Sequence, residues 1–79
     1  MKIELRLYAQ LRSYQPVGDN APLYLIDVDP GTTIHNLLSK LDIPRHMAMI
    51  ILINGTRARL NQQLKEGDCV AVFPPIAGG

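Results

Sequence analysis

Only one cysteine occurs in the sequence, Cys69, so no disulfide can close within the chain, and a lone thiol fits a reducing compartment. Charge of one sign is scarce as well. Eight Lys and Arg stand against seven Asp and Glu, for a net charge of +1. Without a basic stripe there is nothing to neutralise a run of phosphates, which argues against nucleic acid as a partner. Long hydrophobic runs are missing too. The longest, Met47 to Ile53, has seven residues, far short of the ~20 needed to span a bilayer. The opening Met1-Lys2-Ile3-Glu4-Leu5-Arg6 interrupts its apolar pattern with charges and does not form the core of a secretory signal. The expectation is a cytoplasmic protein with no membrane partner.

Catalytic and metal-binding groups are equally sparse. His35 and His46 lie far apart in sequence, with no second cysteine and no clustered carboxylates, so no metal site is expected. Asp27, Asp29 and Asp42 fall beside turns and a helix end, where local hydrogen bonding accounts for them. No set of nucleophile, base and orienting group can be assembled, so the chain is not expected to be an enzyme by itself.

What is present is an ordinary globular mix, 47% hydrophobic and 19% charged over 79 residues, enough for one domain with a modest core. A chain of this size buries only about 60–65% of its unfolded surface, so its stability should be thin. Residues 2–8 alternate, with Ile3, Leu5 and Leu7 on one face and Lys2, Glu4 and Arg6 on the other. That period of two predicts a strand with one buried face. Ala9 to Tyr14 can form a short helical turn, and Gln15 to Pro22, with two prolines, a Gly, an Asp and an Asn, reads as a surface loop. Leu23 to Val28 predicts a second strand, closed by Asp29-Pro30-Gly31.

A helix follows. Thr32 or Thr33 can cap it, and Ile34, Leu37, Leu38 and Leu41 fall at i, i+3, i+4 and i+7 on one stripe. Asp42-Ile43-Pro44 ends it, because the residue before a proline disfavours helix. Arg45 to Ala48 reads as connection. Met49–Ile53, Asn54-Gly55 and Thr56–Leu60 predict a hairpin, since Asn-Gly suits a turn with positive φ at both central positions. Gln62 to Asp68 is polar, and Cys69 to Phe73 is a last strand. One helix covers one face of a four- or five-stranded sheet and leaves the other face partly open to partners.

The last strand runs into Phe73-Pro74-Pro75-Ile76-Ala77-Gly78-Gly79. Prolines donate no ladder hydrogen bond and lock φ, so they terminate pairing and stiffen the exit. Extended, the six residues from Pro74 reach roughly 20 Å at ~3.3 Å each, enough to project the end into another protein's active site. Gly78 and Gly79 lack Cβ atoms and can thread a narrow channel. Two glycines close a chain by chance in only about 0.5% of cases, and an idle end needs no proline stiffener.

This strand–helix–hairpin–strand order, with the ending Glu66-Gly67-Asp68-Cys69-Val70-Ala71-Val72-Phe73-Pro74-Pro75-Ile76-Ala77-Gly78-Gly79, resembles the MoaD/ThiS family of ubiquitin-like sulfur carriers over essentially the whole chain. The resemblance implies an α+β, β-grasp fold: one main helix packed on a mixed four- to five-stranded sheet. Residues 1–73 would form that domain and 74–79 a flexible C-terminal tail. It further implies that an E1-like adenylating enzyme uses ATP to activate the Gly79 carboxylate, beside Gly78. Sulfur then replaces one oxygen to give a covalent C-terminal thiocarboxylate, with no cofactor bound by the chain itself. Partners would be that enzyme and the large subunit of molybdopterin synthase, or another sulfur acceptor enzyme. Within the family, Phe73-Pro74-Pro75, the Ala9–Pro22 insertion and Tyr8-Ala9-Gln10-Leu11-Arg12 resemble the pterin branch more than the thiazole branch. The alternatives are a thiazole carrier for thiamine biosynthesis and a protein modifier joined through Gly79.

By the same resemblance, Val70 and Val72 point inward while Ala71 and Phe73 lie on the open face. Partner contacts are then expected at Ala71, Phe73, Pro74, Pro75, Ile76 and Ala77, with Phe73 as an anchor. Cys69 reads as a structural strand cysteine, with Lys65, Glu66 and Asp68 as its nearest charges in sequence. Arg57 and Arg59 share one side of the hairpin's second strand and protect an edge, docking against an acidic partner being the other reading. Met47 and Met49 are expected in or near the core.

Overall fold

The computed structural model describes residues 1–14 and 23–75. The expected loop at 15–22 and the last four residues, Ile76, Ala77, Gly78 and Gly79, lie outside the described residues. The architecture is a β-grasp. Five strands form one mixed sheet: β1 Lys2–Leu7, β2 Tyr24–Asp27, β3 Ile50–Ile53, β4 Thr56–Arg57 and β5 Cys69–Phe73. Their order is β2-β1-β5-β3-β4. β1 pairs antiparallel with β2 and parallel with β5, which pairs antiparallel with β3. The alternation of β1 is realised: Ile3, Leu5 and Leu7 are buried, and Lys2 and Arg6 are exposed.

Among the described residues there is one α-helix, α1, which spans Ile34–Lys40. Thr33 caps it reciprocally: the Asn36 amide N–H donates to the Thr33 hydroxyl, and the Thr33 N–H donates to the Asn36 side-chain oxygen. Ile34, Leu37, Leu38 and Leu41 are all buried, so the apolar stripe faces the sheet. The helix ends before the point where proline would stop it. Asp42 takes a left-handed conformation, φ 59. Its N–H donates to the Ser39 carbonyl, and that of Ile43 to the Leu38 carbonyl. These two bonds form a Schellman cap that satisfies the last carbonyls, with Ile43 buried beside them.

The hairpin turn is as the Asn-Gly pair predicts, with Asn54 at φ 53 and Gly55 at φ 84. The strand after it is shorter than the expected Thr56–Leu60 and stops at Arg57. The reason lies at the start of α1, whose first N–H groups have no partner inside the helix. The His35 N–H donates to the Leu60 carbonyl and the Ile34 N–H to that of Gln62. The segment therefore leaves the sheet to close the helix from below, and Arg59 falls outside the strand it was expected to share with Arg57. Leu64, within a stretch that reads as polar, is 3% exposed and belongs to the core. Arg45–Met47 forms a 3₁₀ turn instead of plain connection. Met47 packs against the core as expected. Met49 does not: it is 58% exposed, because it precedes β3 at the rim of a surface groove.

Candidate functional site: the neck at the end of the sheet

The chain leaves the sheet from its centre. β5 sits between β1 and β3, and its side chains alternate, Val70 and Val72 fully buried and Cys69, Ala71 and Phe73 half-buried. The valines pack in the core with α1's stripe, so Ala71 and Phe73 lie on the opposite, open face. In the ladder Ala71 pairs with Leu52, and Phe73 with Ile50. Cross-strand partners share a face, which places Ile50 and Leu52 beside them.

Both neighbouring strands hold β5 to its last residue. The Tyr8 N–H donates to the Val72 carbonyl at 3.2 Å, and the Met49 N–H to the Phe73 carbonyl at 2.9 Å. Beyond Phe73 the chain offers Pro74 and Pro75, which have no N–H, and pairing stops. The Phe73 ring is clamped as well. Tyr8 stacks on it with centroids 4.3 Å apart and planes 6° from parallel, a parallel stack slightly closer than the usual ~4.5–7 Å of aromatic pairs.

Tyr8 is set in place by the turn that follows β1. Ala9 has φ 52, a left-handed backbone that costs a non-glycine residue roughly 1–2 kcal/mol. The turn holds because the Leu11 N–H donates to the Tyr8 carbonyl and the Leu11 side chain is completely buried. Ala9–Tyr14 is a 3₁₀ helix, the helical turn expected from sequence. Between this turn and the neck lies a cleft of about 390 Å³ lined by Tyr8, Ala9, Gln10, Ile50, Phe73, Pro74 and Pro75. It opens beside the point where the chain departs. With Tyr8 and Ile50 each 37% exposed and Leu25 58% exposed, the open face carries apolar area in excess of what a strand edge needs.

Among the site residues expected from sequence, the structure brings Ala71, Phe73, Pro74 and Pro75 together on this face. Ile76, Ala77, Gly78 and Gly79 lie outside the described residues. Sequence reasoning missed Tyr8 as the partner of Phe73, and Ile50 as the other wall of the cleft. The aromatic at the end of β1 was the available signal. Its contact with β5 depends on parallel register, which no local pattern reveals.

Cys69 meets different charges from those nearest in sequence. In the β1–β5 register it pairs with Glu4, and its thiol is held above the ordinary value first by burial. Arg6 opposes this, and Glu4 adds to it through charge and a hydrogen bond. Lys65, Glu66 and Asp68 are not among the groups that set that balance; the Asp68 carboxylate accepts from the Asn54 side chain and the Lys65 N–H instead. A thiol pushed up is a poor nucleophile near neutral pH. His35 and His46 are exposed. Among the described residues, no three His, Cys, Asp or Glu side chains gather as a metal site. No helix among them is long and apolar enough to cross a membrane.

Solved structures share this architecture, among them the following three. SAMP1 from Haloferax volcanii, a small archaeal modifier protein, is 25% identical, with full coverage of both chains and a TM-score of 0.74. The Haloferax volcanii HVO 2177 protein is 28% identical, covering 100% of this chain and 87% of the other, with a TM-score of 0.78. A complex of subunits 1 and 2 of the molybdopterin-converting factor from Helicobacter pylori contains a chain 22% identical, with full coverage of both and a TM-score of 0.59; at that identity the likeness is one of fold. No curated protein matches the sequence. The model of the ThiS family matches residues 5–79, from the middle of β1 through the neck to the last glycine, and the chain therefore belongs to the ThiS family of ubiquitin-like carriers and modifiers.

Proposed function

We propose that this chain is a sulfur carrier activated at Gly79, and that its sulfur goes to the synthesis of a pterin-based molybdenum or tungsten cofactor. The observation that carries the reading is the neck. The sheet holds the chain through the Phe73 carbonyl and then releases it at two prolines beside an apolar face. An α-carboxyl group has a pKa of about 3.3–3.7, so at neutral pH it is an anion and a poor target for a nucleophile. An E1-like enzyme would join it to the α-phosphate of ATP with loss of pyrophosphate. A donor sulfur then attacks the carbonyl, AMP departs, and the terminus is left as a thiocarboxylate. The chain's own contribution is presentation: a stiff neck, a slim end and a docking face.

The open face around Phe73, Ile50 and Tyr8 is the proposed contact for both the activating enzyme and a large subunit, with Ala71 on the same face and Pro74, Pro75, Ile76 and Ala77 as further proposed contacts. The subunit complex from Helicobacter pylori supports a large-subunit partner, and the aromatic following β1 supports the pterin branch. In this reading the chain is a non-catalytic subunit. A second reading, conjugation to other proteins through Gly79, is favoured by the likeness to SAMP1. The thiazole carrier remains the rival within the family.

Intact-mass measurement decides between them. The full chain, incubated with its activating enzyme, ATP and a sulfide source, is expected to exchange one C-terminal oxygen for sulfur, and deletion of Gly79 should abolish the change. Protein-linked ladders that vanish with Gly79 would establish the modifier instead. Natural chains that retain residues beyond the diglycine would defeat both.

A further inference from the structure

A second concavity lies across β3 from the neck cleft. It holds about 770 Å³ and is lined by Arg45, His46, Arg57 and Arg59 over a floor that includes Ile51 and Ala58. Among the described residues, no carboxylate lines it. Three of the chain's eight Lys and Arg residues thus border one groove, in a chain whose net charge is +1. None of the three guanidinium groups makes a hydrogen bond or ion pair among the described residues. Arg57 alone lies on the two-residue edge strand and can protect it; Arg45 and Arg59 lie outside it. Several unpaired cations around an apolar floor exceed that need and repel one another when the groove is empty.

The composition of the groove selects its occupant. Arginine forks bind carboxylate and phosphate alike, but the floor here is aliphatic, and the described lining residues include only the start of the short 3₁₀ turn Arg45–Met47 and no α-helix N-terminus to cradle phosphate oxygens. An extended peptide that alternates acidic and apolar side chains meets both features at once. β4 is the last strand of the sheet, so such a peptide can lie along its free edge. The groove also borders the neck: Met49 lines it, and the Met49 N–H holds the Phe73 carbonyl. We propose that the groove bordered by Arg45, Arg57 and Arg59 is a docking site for an acidic, partly apolar extended segment of a partner protein, independent of the chemistry at Gly79.

The test uses the full chain, ¹⁵N-labelled, with a synthetic peptide of alternating glutamate and leucine, about eight residues and ~26 Å when extended. Amide shifts are expected at Arg45, Ala58 and Arg59 and not at Tyr8 or Gln10. Affinity should fall about tenfold between about 0.05 and 0.5 M salt as screening shortens the reach of the charges. Arg57→Glu combined with Arg59→Glu should weaken binding at least about tenfold, ~1.4 kcal/mol, with an unchanged melting temperature. If that variant is unstable, Arg57→Gln with Arg59→Gln gives the same direction. Shifts confined to the neck cleft, equal binding of a lysine–leucine peptide, or no binding would overturn the proposal. Inorganic triphosphate binding the groove as tightly as the peptide would also overturn it and make the groove a phosphate site. No activating enzyme or ATP is present, so the result does not depend on the sulfur-carrier reading.

Discussion

The Tyr8 and Phe73 rings lie face to face, 4.3 Å apart, one at the end of the first strand and the other at the end of the last. Two chain segments that are distant in sequence therefore meet where the neck begins. Tyr8→Ala should cost the pair about 0.5–1.5 kcal/mol beyond lost burial, or a fall of about 4–8 °C in melting temperature per kcal/mol at this size. The Tyr8 hydroxyl makes no hydrogen bond among the described residues, so Tyr8→Phe should melt like the parent. A thermal scan of the two variants checks this, and equal losses in both would show that the ring stack is not what matters.

Leu11 is the side chain on which that arrangement rests. It is fully buried and anchors the turn that carries Tyr8 and the left-handed Ala9. Leu11→Ala is expected to cost about 2–5 kcal/mol, a large part of the roughly 4–12 kcal/mol available to a domain of this length. Urea titration gives the loss directly. A change under about 1 kcal/mol would mean that the site collapses around the smaller side chain.

At the end of α1, Asp42 occupies a position that glycine fills more cheaply, φ 59 with its N–H on the Ser39 carbonyl. Asp42→Gly should raise stability by up to about 1 kcal/mol, relief of left-handed strain outweighing the added freedom of the unfolded chain. A lower urea midpoint in the variant would show that the aspartate side chain contributes something the backbone geometry does not.

The alkylation of Cys69 provides the pH test. Its thiol is held above the ordinary value mainly by burial, with Glu4 reinforcing and Arg6 opposing the shift. Only the thiolate reacts, so iodoacetamide should modify the folded protein more slowly than the unfolded chain at a given pH, catching up as pH rises. Glu4→Gln removes a negative neighbour, lowers the pKa and moves the rate profile to lower pH. Arg6→Gln removes the positive one and moves it to higher pH. Profiles displaced the opposite way would exclude this assignment of charges.

Local pattern made most of the fold legible. The alternation of β1, the Asn54-Gly55 turn, the Ile34–Leu41 stripe and the Cys69–Phe73 strand are each written in adjacent residues. What escaped depends on distant pairing. β4 ends early because the Leu60 and Gln62 carbonyls are taken by the first turn of α1, a demand made by residues far upstream. Leu64 sits among polar neighbours, and its burial comes from closing under that same helix. Cys69 meets Glu4 only through parallel register with β1. In the site, the proline neck stands out in one dimension. The Tyr8 clamp and the Ile50 wall of the cleft exist only once β1, β5 and β3 lie side by side.

Placing the exit in the middle of the sheet has a mechanical consequence. Tension applied to the neck enters β5, which is bonded to β1 on one side and β3 on the other. A pull along that strand loads many backbone hydrogen bonds together in shear instead of peeling them one after another from a margin. A partner that pulled on the neck would therefore strain the whole sheet at once, and the domain would resist as a unit until it yielded as one.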